Sequence, residues 1–553
     1  MTLKKAFAGA TAIMILTSIL ASCGGNGEES SVAESSAASS TSSADTSTAG
    51  TAEKVNDIMY AEGLPIVDPG DYTFSLFVDD SQDDDLYVMF PILEEQTGVK
   101  VELQVYPNAI ATERLNLALN SGDYADCIGG WVPQANDILT HGVEEQLYVP
   151  LDSYFEDYCP KITELLELEG VRDTMTAPDG HIYSIPYVLE APAVPFNPFV
   201  NTDWLENVGM EMPTTTDELT EVLRAFKEQD ANGNGDPNDE IPFTVGPDNK
   251  HLGDICGWFG MSVNDEGFTM VGDQLTFGAN TEEYKNGIKY LAGLYAEGLI
   301  DPEMFTQDSS QWKGKGAQDI YGVVTMYASS DIMPYEAGEV PHWEPLPVLS
   351  SPECSNPVYL RDTYGNDVLK HQVVITDNAE HPEIICRWWD NLFELENSLQ
   401  TQAGPLGVTL IKEDDGTYTQ IAASSLPTEE EQKEYDWGNL WPQALPKYIP
   451  AGFEFNQDPV PYDEKAVVDE LYEPYLTEAI PDVWVSIDDT TRMADLSTAI
   501  KDYVVQKQAQ WISGQADIDA EWDSYCEQLD RLGLQELIEI RTNAINNSGS
   551  ANS

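Results

Sequence analysis

The chain is expected to fold as an α/β protein with two lobes and a largely helical C-terminal third. Three observations predict this: a β-α-β-α-β pattern over residues 72–129, an extended proline-rich passage at 186–198 followed by new strand and helix signals, and amphipathic helical spacing near the end. With 42% hydrophobic and 10% aromatic residues among 553, the chain can bury large cores, and at roughly 100–200 residues per domain it has length for two or three.

The first 22 residues predict a lipoprotein signal peptide. Lys4 and Lys5 precede an apolar stretch, Ala6 to Ala21, which is short for a bilayer span and long enough for the core of a secretory signal. It ends in Leu20-Ala21-Ser22-Cys23-Gly24, which resembles a bacterial lipobox, so Cys23 is the expected carrier of palmitate or a related acyl lipid; a non-lipidated signal with Cys23 an ordinary thiol is the alternative. Residues 23–56 read as a disordered tether. From 27 to 53 they are almost wholly Ser, Ala, Thr, Gly and Glu, which bury too little to offset ordering entropy. No later segment reaches 18 consecutive apolar residues, so the lipid is the expected attachment to the extracytoplasmic face of the cell membrane, and transport would require a separate permease.

In Tyr72-Thr73-Phe74-Ser75-Leu76-Phe77-Val78 the alternation predicts a strand, with Asp79-Asp80-Ser81 as cap-type residues before a helical stretch through Leu93. Val99, Val101, Leu103 and Val105 alternate as a second strand. Ala111, Leu115, Ala118 and Leu119 line a helix that Gly122 stops, and Cys127-Ile128 is a short third strand. Such runs build parallel sheets whose ligands bind beyond the carboxyl ends of the strands, here Asp79–Ser81, Asn108 and Gly129-Gly130-Trp131. Asp80, Asn108 and Trp131 are therefore candidate ligand-binding residues.

A second lobe is expected after the proline-rich passage, with a helix at Asp217–Lys227 and an apolar strand from Gly322 to Tyr327; farther on, another strand, Gln372–Ile375, precedes a helix at Pro382–Leu395, and the mostly helical C-terminal third ends in Asp517–Leu532, stopped by Gly533. Lobe 1 is assigned residues 57–190 plus about 372–450, and lobe 2 residues 191–371 plus about 451–545. Trp388, Trp389 and Trp522 sit on amphipathic faces and are assigned to cores. Tyr327, at a strand end, and Trp258, between Gly257 and Gly260, join Trp131 as candidate sugar-stacking faces.

Ninety-seven acidic against 26 basic residues give a net charge of −71, which leaves no basic face for nucleic acid. Seven cysteines form no CxxC pair and the six histidines are scattered, so structural zinc and thioredoxin-like chemistry have no support. The sequence also lacks GxSxG, HExxH, GxxxxGK[ST] and a strand-linked GxGxxG, and no enzyme activity is expected. One loop carries hard-cation chemistry. Asp230, Asn232, Asn234, Asp236, Asp239 and Glu240 place oxygen donors at alternating positions around Gly235, as a calcium ion requires, although the last carboxylate comes at position 11 of the loop instead of 12. A Gly/Asn-rich turn after a helix is the other reading.

Taken together, the lipobox, "ERLNLALNSGDYADCIGG" at 113–130, "LYVPLDSYF" at 147–155, "PDGHIYSIPY" at 178–187, the 201–244 segment and "WISGQADIDAEWDSYCEQLDRLGLQEL" at 511–537 resemble family 1 of the extracellular solute-binding proteins of bacterial ABC importers. Within it, the likeness is to long lipoproteins similar to alginate-oligosaccharide-binding proteins. The resemblance implies a periplasmic-binding-protein-like fold, two α/β lobes joined by crossing hinge strands, with a carbohydrate trapped between them for delivery to ABC permease subunits. It also implies a structural calcium at the 230–240 loop, where this chain has one residue more than the family pattern. A monomer is expected. Binding of a peptide or another solute, and secreted polysaccharide degradation, are the rival functions.

Overall fold

The computed structural model describes residues 53–80, 87–189, 193–236, 238–246, 251–332, 342–361, 368–450, 452–458 and 463–548. Cys23, the signal and nearly all of the tether lie outside the described residues, as does Pro237 of the 230–240 loop. The described architecture is that of the unit Glu53–Ser553.

Strand β1 (Tyr72–Asp79) leads through helix α1 (Met89–Thr97) to strand β2 (Val99–Tyr106), and helix α2 (Asn108–Ser121) leads to strand β3 (Cys127–Gly129). β1 pairs in parallel with both β2 and β3, and the strand Val373–Ile375 adds antiparallel to β3, giving the order 373–375, β3, β1, β2. Period-2 alternation explains the two covered faces of this sheet. Phe74, Leu76, Val78, Cys127, Val373 and Ile375 enter one core, while Phe77, Ile128 and Val374 enter another with Ala111 and Leu115 of α2. Helix α2 ends where predicted, at Gly122 in the left-handed region with φ 75°.

A second sheet has the order Trp343–Pro345, Asn197–Asn201, Tyr321–Met326, Ile241–Val245. Its core takes in the apolar stripe Leu219, Val222, Leu223 and Phe226 of the helix Thr216–Glu228, which begins with a Thr215/Glu218 capping box. The same core receives the C-terminal helices Ile487–Ile512 and Ile518–Leu532 through Leu496, Ile500, Trp511, Trp522 and Leu529. The sequence therefore returns to the second core after an excursion through the first, whose cluster includes Trp388, Trp389 and Trp441.

Two short strands connect the lobes. Tyr187–Val188 pairs antiparallel with Val368–Leu369, through Leu369 opposite Tyr187 and Val368 opposite Val188. One helix differs from expectation. The predicted 382–395 helix ends at Leu392, Glu394 is extended, and a second helix runs from Leu395 to Ala403. The break is stabilised by Asn397 Nδ2 donating to the Asn391 carbonyl and Ser398 Oγ to that of Leu392, both at 2.8 Å, which satisfies carbonyls the first helix leaves open.

Candidate functional site

Between the two sheets lies a cleft of about 1020 Å³, lined from both lobes. Lobe 1 contributes the end of β1, the turn after β3 and one stripe of α2, where Asn108, Thr112, Leu115 and Leu119 follow the 3.6-residue period. The turn is tightly fixed. Asp79 is buried, its Oδ1 accepts the Val132 N–H at 3.2 Å, and the Gly130 N–H donates to the Gln372 carbonyl at 3.0 Å. Burial holds the Asp79 carboxyl above its usual range, opposed by the hydrogen bonds it accepts. Trp131 is thereby presented at the sheet edge with 40% of its surface exposed.

Lobe 2 supplies a facing aromatic wall. Phe196 stacks on His251 with ring centroids 4.3 Å apart and planes 17° from parallel, and His251 Nδ1 is 3.0 Å from Asp254 Oδ2. Tyr327 meets Phe196 edge to face at 5.7 Å, beneath the Lys465 ammonium, which is 4.2 Å from the Tyr327 ring centroid and donates to the Pro195 carbonyl at 2.6 Å. Burial lowers the Lys465 pKa to about 8. The base is formed by Val368, Leu369, His371 and Asp482 beside the connecting strands.

Of the residues singled out by sequence, Asn108 and Trp131 line this cleft. Tyr327, 41% exposed, stands behind the lining Phe196 at the margin, and Asp80, just beyond β1, is outside the lining residues that the structure describes. Trp258 requires correction. It is 1% exposed, lies in the short turn Cys256–Phe259, and meets Tyr290 edge to face at 6.4 Å inside the second core. Its glycine neighbour serves close packing instead of a pocket mouth: a Cβ on Gly257 would fall 2.0 Å from the Val358 carbonyl oxygen. Phe196, His251, His371 and Asp482 were not found from sequence, because nothing local to them signals that four separate chain segments meet.

The 230–240 loop lies apart from the cleft lining, between the helix Thr216–Glu228 and the strand Ile241–Val245. Asp230 Oδ2 accepts the Gly235 N–H at 3.0 Å, Asn232 Oδ1 the Asn234 N–H at 3.0 Å, Asn234 Oδ1 the Asp236 N–H at 2.7 Å, and Glu240 Oε1 the Ala231 N–H at 3.0 Å. Asp230 Oδ1, Asp239 Oδ1 and Glu240 Oε2 are shielded from solvent with no hydrogen-bond partner among the described residues. Burial, then the neighbouring Asp239 and Asp230 charges, raise the Glu240 pKa. Unpaired carboxylate oxygens gathered in one loop are the donor chemistry of a hard cation. The described residues contain no cluster of three or more His, Cys, Asp or Glu side chains with metal-holding geometry, so the fit rests on a mixed set in which Asn232 and Asn234 join the acids.

Comparison with known proteins places this architecture. The family described as bacterial extracellular solute-binding protein matches residues 79–351. The fructooligosaccharide ABC transporter substrate-binding protein FusA of Streptococcus pneumoniae is 31% identical over 475 residues, 81% of this chain and 85% of that one. FusA in complex with kestose superposes with a TM-score of 0.76 at 27% identity, over 87% of this chain and 100% of that chain. An EF-hand mutant of FusA in complex with fructo-nystose gives 0.75 at 27% identity, with the same coverage.

Proposed function

The chain belongs to the bacterial extracellular solute-binding proteins, and from that premise we propose that, as a monomer, it captures an oligosaccharide between its lobes for delivery to the permease subunits of an ABC importer. The observation that carries this reading is the cleft of about 1020 Å³ with Trp131 on one wall and the Phe196–His251 stack on the other. Small-molecule sites run to roughly 300–1,000 Å³, so this one has room for several sugar rings, and flat aromatic faces stack on their C–H surfaces. FusA, of which the chain covers 85%, is seen with kestose, which supports fructo-oligosaccharides as first probes.

Calcium at Asp230, Asn232, Asn234, Asp236, Asp239 and Glu240 would be structural, neutralising the shielded carboxylates and tying the helix Thr216–Glu228 to its following strand; the EF-hand mutant of FusA supports this assignment. A lipid on Cys23 would hold the protein at the extracytoplasmic face of the membrane, as the lipobox supports. A thermal-shift panel of kestose, nystose, other neutral glycans and peptides tests the function, with product analysis for hydrolysis. Stabilisation by a saccharide without cleavage is the expected result; stabilisation by peptides alone, or saccharide cleavage, would replace it. Retention of exported Cys23→Ala protein in the membrane fraction would remove the anchor.

A further inference from the structure

The base of the cleft holds a polar group that aromatic stacking does not explain. The Lys370 side chain has no exposed surface, donates to Asp482 Oδ1 at 2.8 Å and to the Asp482 carbonyl at 3.2 Å, and lies 4.6 Å from the Trp484 ring centroid. Its cation is therefore turned inward. Asp482, by contrast, is 38% exposed and lines the cleft, so with one oxygen committed to Lys370 the carboxylate keeps acceptor capacity toward the opening.

His371 sits next to this pair and also lines the cleft. Its Nδ1 is buried with no hydrogen-bond partner among the described residues. Burial lowers the imidazole pKa, and a hydrogen bond to the backbone of Pro133 engages the ring. A neutral ring whose N–H is given to a carbonyl leaves its other nitrogen, here the shielded Nδ1, as an unused lone-pair acceptor. The two groups are thus matched acceptors, for which a hydroxyl is the complementary donor.

The charge around them has one sign. Asp79, Asp137, Asp254, Asp265 and Asp482 line the cleft, and no lysine or arginine does so among the described residues. Lys370 is paired to Asp482, while Lys465 is held by the Pro195 carbonyl and the Tyr327 ring. Among the described lining residues a ligand carboxylate meets like charges and no lysine or arginine, whereas hydroxyls find charged acceptors.

We infer that the cleft selects neutral saccharides against uronates, with Asp482 and His371 accepting hydroxyl hydrogens at its base and Lys370 as the positioning residue that fixes Asp482. This deepens the carbohydrate reading and rests on it. It also separates the chain from the alginate binders that its sequence resembles, since alginate is a polyuronate.

Calorimetry of the full exported chain with neutral fructo-oligosaccharides and with oligogalacturonides of equal length provides the test. Neutral ligand should bind at least about a hundredfold more tightly. Asp482→Asn and His371→Ala should each weaken neutral binding at least about tenfold, and Asp482→Asn should narrow the gap to the uronate. Because Asp482→Asn strands a buried ammonium, Lys370→Met/Asp482→Asn accompanies it as the variant without an unpaired charge. Uronate affinity within tenfold of neutral affinity, or wild-type neutral binding by His371→Ala and the double variant, overturns the inference. If no saccharide of either kind binds, the carbohydrate reading falls first and this inference with it.

Discussion

The carboxylate of Asp79 fills the space that a side chain at residue 130 would need: a Cβ on Gly130 would fall 1.8 Å from Asp79 Oδ1. Gly130 also has φ 118°, a conformation that L side chains rarely adopt. The end of β1 and the end of β3 are thus locked together just before Trp131, and the lock needs both a buried acid and a glycine. Gly130→Ala is expected to cost on the order of 1–3 kcal/mol from strain and displacement of Asp79. Its melting temperature and saccharide affinity should fall together; an unchanged value of both would show that the turn relaxes freely.

Removing the aromatic faces should separate binding from folding. Trp131 and Tyr327 are each about two-fifths exposed, so their truncation leaves little cavity. Trp131→Ala should lose roughly 1–3 kcal/mol of ligand binding, about tenfold to a hundredfold in Kd, with little change in melting temperature. Tyr327→Ala should lose less, since Tyr327 acts through Phe196, which it meets edge to face. Calorimetry reads both, and lower melting with unchanged affinity would assign these rings to structure alone.

Chelation should destabilise the protein if the 230–240 loop holds calcium. A ligand bound only by the folded state adds RT ln(1 + [L]/Kd), roughly 2.7 kcal/mol at a hundredfold excess, so EDTA should lower the melting temperature and calcium restore it. Glu240→Gln neutralises a carboxylate that has one shielded oxygen without a hydrogen-bond partner among the described residues, and should abolish the response. An EDTA-insensitive melting curve in the wild type would contradict the assignment.

Asp390 provides a pH dependence away from the site. Burial raises its pKa to about 6 from the model-peptide value of 3.8, although its Oδ1 accepts the Ile162 N–H at 2.9 Å. Between pH 3.8 and about 6 the folded state binds more protons at this residue than the unfolded state, so its contribution to stability is lost as pH rises through that window. Asp390→Asn can keep the acceptor and remove the buried charge. It should therefore be more stable than the wild type at pH 8, by on the order of 1–3 kcal/mol, and nearly equal near pH 4. Denaturant melts at the two pH values measure this, and a pH-independent difference would reject it.

Much of the first sheet was legible because its signals are local. Period-2 alternation at 72–78 and 99–105, helical spacing in α2 and the stop at Gly122 are statements about neighbours in sequence. Trp131 and Asn108 followed from the rule that parallel sheets bind at their carboxyl ends. Trp258 misled because a glycine beside an aromatic ring looks the same whether the missing side chain admits a ligand or, as at Gly257, a backbone carbonyl. His371 and Asp482 were illegible for another reason. They are 111 residues apart, and the Lys370–Asp482 pair that joins them to one place spans 112. The break after Leu392 depends on Asn397 and Ser398 folding back, a choice that helical periodicity does not encode.

The ribbon of Tyr187–Val188 against Val368–Leu369 is two residues long on each side. So short a ladder has little torsional stiffness, and thermal agitation can twist it at small elastic cost. Leu369 belongs to the ribbon and Lys370 and His371 follow it directly, so a molecule gripping the base of the cleft pulls on the joint itself and needs no relay through either core. If the lobes close on a ligand, occupancy and the angle between them would be one mechanical variable, and a docked permease would sense a filled cleft from outer surfaces that the sugar never touches.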